Sequence, residues 1–464
     1  MTAARRLHRS VGVGIAGGLV TGLLLLASCA ETPSRSIQQP IGEAPKAPAV
    51  PRVAYSVSPR PTKVEPVKRQ GPGGPLDRFF TQLDGLETHR VSGPVTLVQF
   101  GDSHTAGDRF SGRLRELFQE RFGNAGRGVL PPGAPFGYFR PTGATVQMSG
   151  GWNATTAWGA KSGPGPFGIS GFTVSTNKAR ESLTLTSTDP AGFDSAVIET
   201  LARPGGGSAE IRIDGAPVYT LSTQAESLRG ARLDLPVTKG ARKLELTAKG
   251  DGPIEVIGWG VTRSDPGILY ESHGTVGATV NLLEKWDEAL ASWQLAERDP
   301  ALILLAFGTN EGFGNRLVEA DYEAAFEGRI KYLKTAAPNA DIVVVGPPDA
   351  NRVASLKGCT AARAKGWAAS ERTCAWVTPP NVAVVRAIQK KVAERQGLRF
   401  WDWSLVMGGA GGAQRWAEAT PPLVHTDRVH QKPEGYAKSA EVLFESLMAD
   451  YAAWKSRPLA ALPN

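Results

Sequence analysis

Apolar and polar positions follow three different rhythms along this chain. Val95 to Phe100 is a continuous apolar run that predicts a buried strand, and it leads directly into Gly101-Asp102-Ser103-His104. Phe110, Leu114, Leu117, Phe118 and Phe122 then recur at helical spacing. From Phe172 to Ile257 the rhythm changes to period two, in short runs such as Leu183 to Thr186, Ala209 to Ile213 and Leu244 to Leu246, with turn residues between them. That pattern predicts an all-β sandwich. From Ile268 the first rhythm returns. Ala301 to Phe307 and Ile342 to Val345 read as buried strands, Tyr322 to Leu333 and Val382 to Arg395 as helices, and Gly397 to Trp401 as a late strand. Such alternation predicts an α/β fold with a central parallel sheet between helical layers, interrupted by an all-β module.

The chain has 464 residues, and its two ends of behaviour differ. Arg5, Arg6 and Arg9 precede an apolar run from Val11 to Ala27, which closes on Leu26-Ala27-Ser28-Cys29. This resembles a bacterial lipobox, whose Cys carries the lipid; an ordinary signal peptide or a short anchor is the alternative. Residues 30–75 hold ten prolines and no apolar period, which predicts an extended linker reaching roughly 100 Å at ~3.1 Å per residue. The expected organisation is therefore a signal peptide over 1–29, a linker over 30–75, an α/β body over 76–168 and 265–464, and an inserted sandwich over 169–264. A formal net charge of +8 suits an acidic envelope polymer or simple solubility. No motif or dense basic cluster that reads bases accompanies it, so nucleic acid is not expected as a partner. Beyond Cys29 the cysteines are Cys359 and Cys374, which are expected to pair in an exported compartment; two free buried thiols are the alternative.

Three short blocks carry candidate chemistry. Ser103 follows a strand and a glycine, the setting of an exposed nucleophile, although such a Ser also serves as a helix cap. Asn310, in Gly308-Thr309-Asn310-Glu311, follows a buried strand, where a side-chain amide can reach the crevice of an α/β fold or merely cap a turn. Asp427 and His430 stand three apart in one loop, close enough for the carboxylate to fix the imidazole tautomer, or to form a plain surface pair. No His-Glu-x-x-His pattern or paired ligand spacing is present, and neither metal nor cofactor is expected. Asp102 reads as structural and His425 as uninvolved. Trp152, Trp158 and Tyr138 lie in a glycine-rich stretch and are either packing residues or sugar-stacking faces.

Taken in order, Gly-Asp-Ser, an internal glycine, Gly-x-Asn and Asp-x-x-His resemble the SGNH (GDSL-like) hydrolase superfamily, over residues 95–125, 268–312 and 420–447. His104, the run from Gly101 to Gly128 and the inserted module resemble one branch, bacterial peptidoglycan O-acetylesterases with a carbohydrate-binding-like sandwich. The resemblance implies Ser103 as nucleophile, His430 as base and Asp427 as its partner. It implies an oxyanion hole from the N–H groups of Ser103 and Gly277 and the amide of Asn310. Gly277-Ala278-Thr279 fits the internal block better than Gly274, which stays open. The implied activity is an esterase of the cell envelope that removes O-acetyl groups from peptidoglycan or another polysaccharide. An O-acetyltransferase shares the acyl-enzyme, a wall-binding lipoprotein with an idle site is a different class, and the family also contains lipases and thioesterases. The expected location is the periplasm, at a membrane held through the lipid anchor.

Overall fold

A computed structural model describes residues 73–159, 162–353 and 376–459. The leader with Cys29, residues 30–72 of the linker, and both Cys359 and Cys374 lie outside the described residues.

Five strands form an all-parallel sheet in the order Gly267–Gly274, Pro94–Gly101, Leu302–Ala306, Asp341–Gly346, Arg399–Asp402. Side chains alternate across it. Leu97, Leu302, Leu304, Val343 and Val345 join one apolar cluster, whereas Val98, Ile303, Leu305 and Val344 join another. The first face is covered by the helices Asp77–Glu87, Phe110–Phe122 and Pro433–Ser456; the second by Glu288–Arg298, Glu319–Ala336 and Pro380–Arg395. Burial of both faces explains why these strands read as unbroken apolar runs. This is the expected three-layer α/β architecture. No helix among the described residues is long and apolar enough to cross a membrane.

The remaining strands build two antiparallel sheets. One runs Arg229–Ala241, Phe193–Ala202, Ile254–Thr262, Phe172–Thr176, Asn153–Thr156, with Gly126–Leu130 also paired to Ile254–Thr262. The other runs Ala144–Met148, Ser182–Ser187, Lys243–Ala248, Ser208–Ile213, Ala216–Ser222. Their inward residues, among them Val174, Leu185, Ile198, Ile211, Leu246 and Trp259, share one core.

One expected boundary changes here. Strands of the antiparallel sheets already occur before residue 169: Gly126–Leu130, Ala144–Met148 and Asn153–Thr156. Gly126–Leu130 bends at two positive-φ glycines, and Asn153–Thr156 has no apolar face, so neither shows a period-two pattern. The antiparallel sheets are also bonded to the parallel body. Arg298, on a body helix, donates from Nη1 and Nη2 to Glu199 of the module and from Nε to Glu271 of the parallel sheet, at 2.8, 3.1 and 2.6 Å. Gln294, one turn earlier, donates to Glu199 at 2.7 Å, and Arg232 of the module does so at 3.0 Å. Glu271 also accepts from Val129 N–H at 2.9 Å. Buried charges persist only when paired in this way, so the network fixes the sheets to one another.

Candidate active site

Parallel strands deliver their C-terminal ends, and the loops that follow them, to one edge of the sheet. Pro94–Gly101 ends there and turns through Asp102 into the short helix Ser103–Ala106. Asp102 caps this turn: its Oδ1 accepts from His104 N–H at 2.9 Å. The side chain is buried, and burial raises its carboxyl to about 6, against the opposing pull of the His104 N–H and of His430. Gly274 ends the neighbouring strand in register with Gly101. A Cβ on Gly274 would stand 2.0 Å from Ala106 N, so only glycine lets the Ser103 helix seat against that strand.

The loop before Pro433–Ser456 brings the second group. His430 Nε2 lies 2.8 Å from Ser103 Oγ, and His430 Nδ1 lies 2.7 Å from Asp427 Oδ2. Asp427 Oδ1 additionally accepts from the N–H groups of Val429 and His430 at 2.9 and 3.0 Å. Burial alone would raise the Asp427 carboxyl, but the hydrogen bonds from His430 and these two amides outweigh it and bring it down to about 2. The same bond to Asp427 raises His430 above its ordinary value. With Nδ1–H donated to a carboxylate, Nε2 is the acceptor facing Ser103 Oγ–H.

Beneath the imidazole lies His104, its ring centroid 5.4 Å from that of His430. Its Nδ1 bonds Tyr436 Oη at 2.9 Å, Trp403 packs against it edge-on, and its Nε2 is buried without a partner. Burial and the neighbouring His430 push His104 down to about 3, so it is a neutral packing element rather than a second base.

A third side comes from residues 275–280. Thr275 N–H bonds Gly101 O at 3.0 Å, which docks this turn beside the nucleophile strand. Gly277 is exposed and left-handed, with φ 74°. Three side chains hold the turn from outside: Trp158 Nε1–H donates to Gly277 O at 3.0 Å, Asn310 Nδ2–H to Ala278 O at 2.8 Å, and Val280 N–H donates to Glu311 Oε1 at 2.8 Å. Burial pushes Glu311 up to about 7. Within the described residues no hydrogen bond uses the N–H of Ser103 or of Gly277. Gly274 is instead a buried member of the sheet. Asn310 opens the short helix Thr309–Phe313 after Leu302–Ala306, which sets its amide against the same turn.

Ser103, Asp427 and His430 stand in one hydrogen-bonded line, and Asn310 is bonded to the turn that carries Gly277. Of the aromatic candidates, Trp158 reaches this turn, whereas Trp152 lies in the core of the antiparallel module and Tyr138 is exposed. Sequence reasoning gave Glu311 no role and left Trp158 between packing and sugar stacking; their partners are 31 and 119 residues away. His425 has its backbone bonded to His430 O in the loop. Among the described residues no group of three or more His, Cys, Asp or Glu side chains converges as a metal site. A cavity of about 460 Å³ lined by Asp77, Arg78, Lys334 and Asp341 opens at the opposite edge, where strand Asp341–Gly346 begins. It lies far from this chemistry.

The model of the GDSL-like lipase/acylhydrolase family matches residues 259–438. A solved structure titled as a peptidoglycan O-acetylesterase in action is similar over 84% of this chain and 100% of its own, at 23% identity and a TM-score of 0.66. A family two carbohydrate esterase from Clostridium thermocellum, in complex with cellohexaose, matches 65% of this chain and 99% of its own at 12% identity, with a TM-score of 0.30. One of the same esterase family from Cellvibrio japonicus matches 67% and 99% at 12% identity and 0.30. No curated protein matches the chain.

Proposed function

We propose that the chain is a serine esterase of the GDSL/SGNH type that removes O-acetyl groups from a cell-envelope carbohydrate, peptidoglycan foremost; the family match over residues 259–438 and the fold shared with a peptidoglycan O-acetylesterase support this. The observation that carries this reading is the unbroken line Asp427–His430–Ser103, at 2.7 and 2.8 Å, beside two unused backbone N–H groups.

In this reading His430 takes the Ser103 proton as Oγ attacks the acetyl carbonyl, and Asp427 stabilises the imidazolium that forms. The N–H groups of Ser103 and Gly277 and the Asn310 amide hold the oxyanion. His430 then gives the proton to the sugar oxygen as it leaves. In the second half His430 takes a proton from water as the water oxygen attacks the acetyl carbonyl, and passes that proton to Ser103 Oγ as acetate departs. A sugar hydroxyl in place of that water would make the same site a transferase, and no feature of the site favours that acceptor.

The substrate rests on three supports: the His104-type block, the antiparallel module, and a like fold in a peptidoglycan O-acetylesterase. Export with lipidation at Cys29, and pairing of Cys359 with Cys374, belong to the same proposal and rest on the sequence. Acetate release from purified O-acetylated peptidoglycan, set beside acetylated xylan and alginate, tests the reading. Peptidoglycan is expected to be the preferred source, and equal or greater release from xylan or alginate would overturn that substrate.

A further inference from the structure

Residues 157–159 and 162–171 belong to the loop between the strands Asn153–Thr156 and Phe172–Thr176 of the antiparallel module. Hydrogen bonds tie these residues to one another and to the strand ends. Thr156 Oγ1 accepts from Trp158 N–H at 3.2 Å, Ala157 N–H bonds Gly171 O at 2.8 Å, and Gly163 N–H bonds Thr156 O at 3.0 Å. Trp158 projects from this loop. One part of its indole packs on the apolar cluster that includes Ala278 and Leu282, its N–H is fastened to Gly277 O, and the side chain remains partly exposed. Trp152, six residues earlier, is instead wholly inside the module core.

We propose that Trp158 is a specificity-determining residue, the wall on which the acetyl-bearing sugar ring rests while its ester reaches Ser103. The inference rests on the carbohydrate esterase reading and deepens it by assigning the sugar contact. Three features support it. The indole is held by its bond to Gly277 O and by packing on the apolar cluster, so little freedom is lost when a ligand meets it. It borders Gly277, so a ring lying against it is next to the oxyanion hole. A half-exposed aromatic suits a pyranose, whose C–H face is apolar and whose hydroxyls stay wet, whereas a fatty acyl chain needs an enclosed apolar cavity. The module thereby supplies substrate contact through one loop of its own, in addition to any surface it offers to the polymer.

The test uses the full chain as parent, Trp158→Phe and Trp158→Ala, with an aryl acetate and a soluble O-acetylated peptidoglycan fragment as substrates. Trp158→Ala is expected to raise KM for the fragment by ~5- to 10-fold, the worth of one aromatic contact, with KM for the aryl acetate little changed. Trp158→Phe, which keeps a ring and loses the N–H bonded to Gly277 O, is expected to retain most of the parent's KM for the fragment and to share with Trp158→Ala any loss of kcat that the loosened turn brings to both substrates. If KM for the fragment stays at the parent's value in Trp158→Ala, and only kcat falls alike on both substrates, Trp158 is a strut of the Gly277 turn and the proposal fails. A parent that cleaves the aryl acetate but no acetylated saccharide removes the carbohydrate reading itself, and the proposal with it.

Discussion

Replacing Arg298 by Met tests whether the antiparallel sheets are built into the hydrolase body. The guanidinium donates three bonds to Glu199 and Glu271, and all three side chains are at most 3% exposed. Methionine preserves much of the volume and removes every donor. Two buried carboxylates would lose their shared cation, a kind of loss that costs ~3–5 kcal/mol. Glu199 would keep Arg232 and Gln294, and Glu271 the Val129 N–H, which places the cost at the lower end, about 3 kcal/mol. In a body of this size that corresponds to a fall in Tm of roughly 4 °C near neutral pH. The pH dependence adds a second signature. Burial would raise Glu271, but Arg298 outweighs it and holds the carboxyl at about 2. A lowered carboxylate stabilises the fold above its unfolded value of ~4.5 and loses that contribution as pH falls toward the folded value. The parent therefore loses stability in acid that Arg298→Met never had, and the gap between their melting curves narrows below about pH 4.5. Adding Glu271→Gln should recover part of the loss, because Glu271 is the carboxylate that Arg298→Met leaves with no guanidinium partner. Thermal melts at several pH values read all three effects. A Tm for Arg298→Met within about 1 °C of the parent at neutral pH would refute the reasoning.

Asn310→Ala is expected to leave the melt unchanged and lower kcat on aryl acetate by ~10²–10³ with KM nearly constant, as steady-state kinetics will show. The pH profile of kcat/KM should rise with deprotonation of His430, with a midpoint above the ordinary ~6.5, because Asp427 raises that group. Asp427→Asn should move the midpoint down, and a midpoint that stays in place would exclude Asp427 as the cause. Excision of 169–264 with a short bridge is expected to give an unfolded or aggregated product by circular dichroism. It removes the Glu199 partner of Arg298 and leaves Gly126–Leu130, Ala144–Met148 and Asn153–Thr156 without their sheets.

The parallel core was legible in the sequence because its strands are buried on both faces and end in chemically marked turns. Val98 and Leu304 could be placed inside from local pattern alone, and Ser103, Asn310 and His430 stood out because each follows or precedes an element boundary. The edges of the β module were not legible. Gly126 and Gly128 take positive φ, so strand Gly126–Leu130 is shaped by backbone freedom rather than by alternation. Asn153–Thr156 pairs with Phe172–Thr176 through backbone bonds that four polar or small side chains do not announce. The network of Glu199, Glu271 and Arg298 joins positions up to 99 residues apart, a distance over which charged residues carry no periodic signal. The same holds for the clasp on the Gly277 turn. Trp158 and Glu311 act there through contacts made only once the sheets are stacked. The difference between Gly274 and Gly277 likewise needed the backbone: Gly274 packs against Ala106 within the sheet, and Gly277 is exposed with positive φ.

Acyl transfer by Ser103 on an acetylated envelope carbohydrate is tested by acetate release from O-acetylated peptidoglycan by the parent and by Ser103→Ala, both confirmed folded by matching melts. Steady release is expected from the parent, with a loss of ~10⁴-fold or more in Ser103→Ala. Comparable release by the two proteins would rule out Ser103 as the nucleophile.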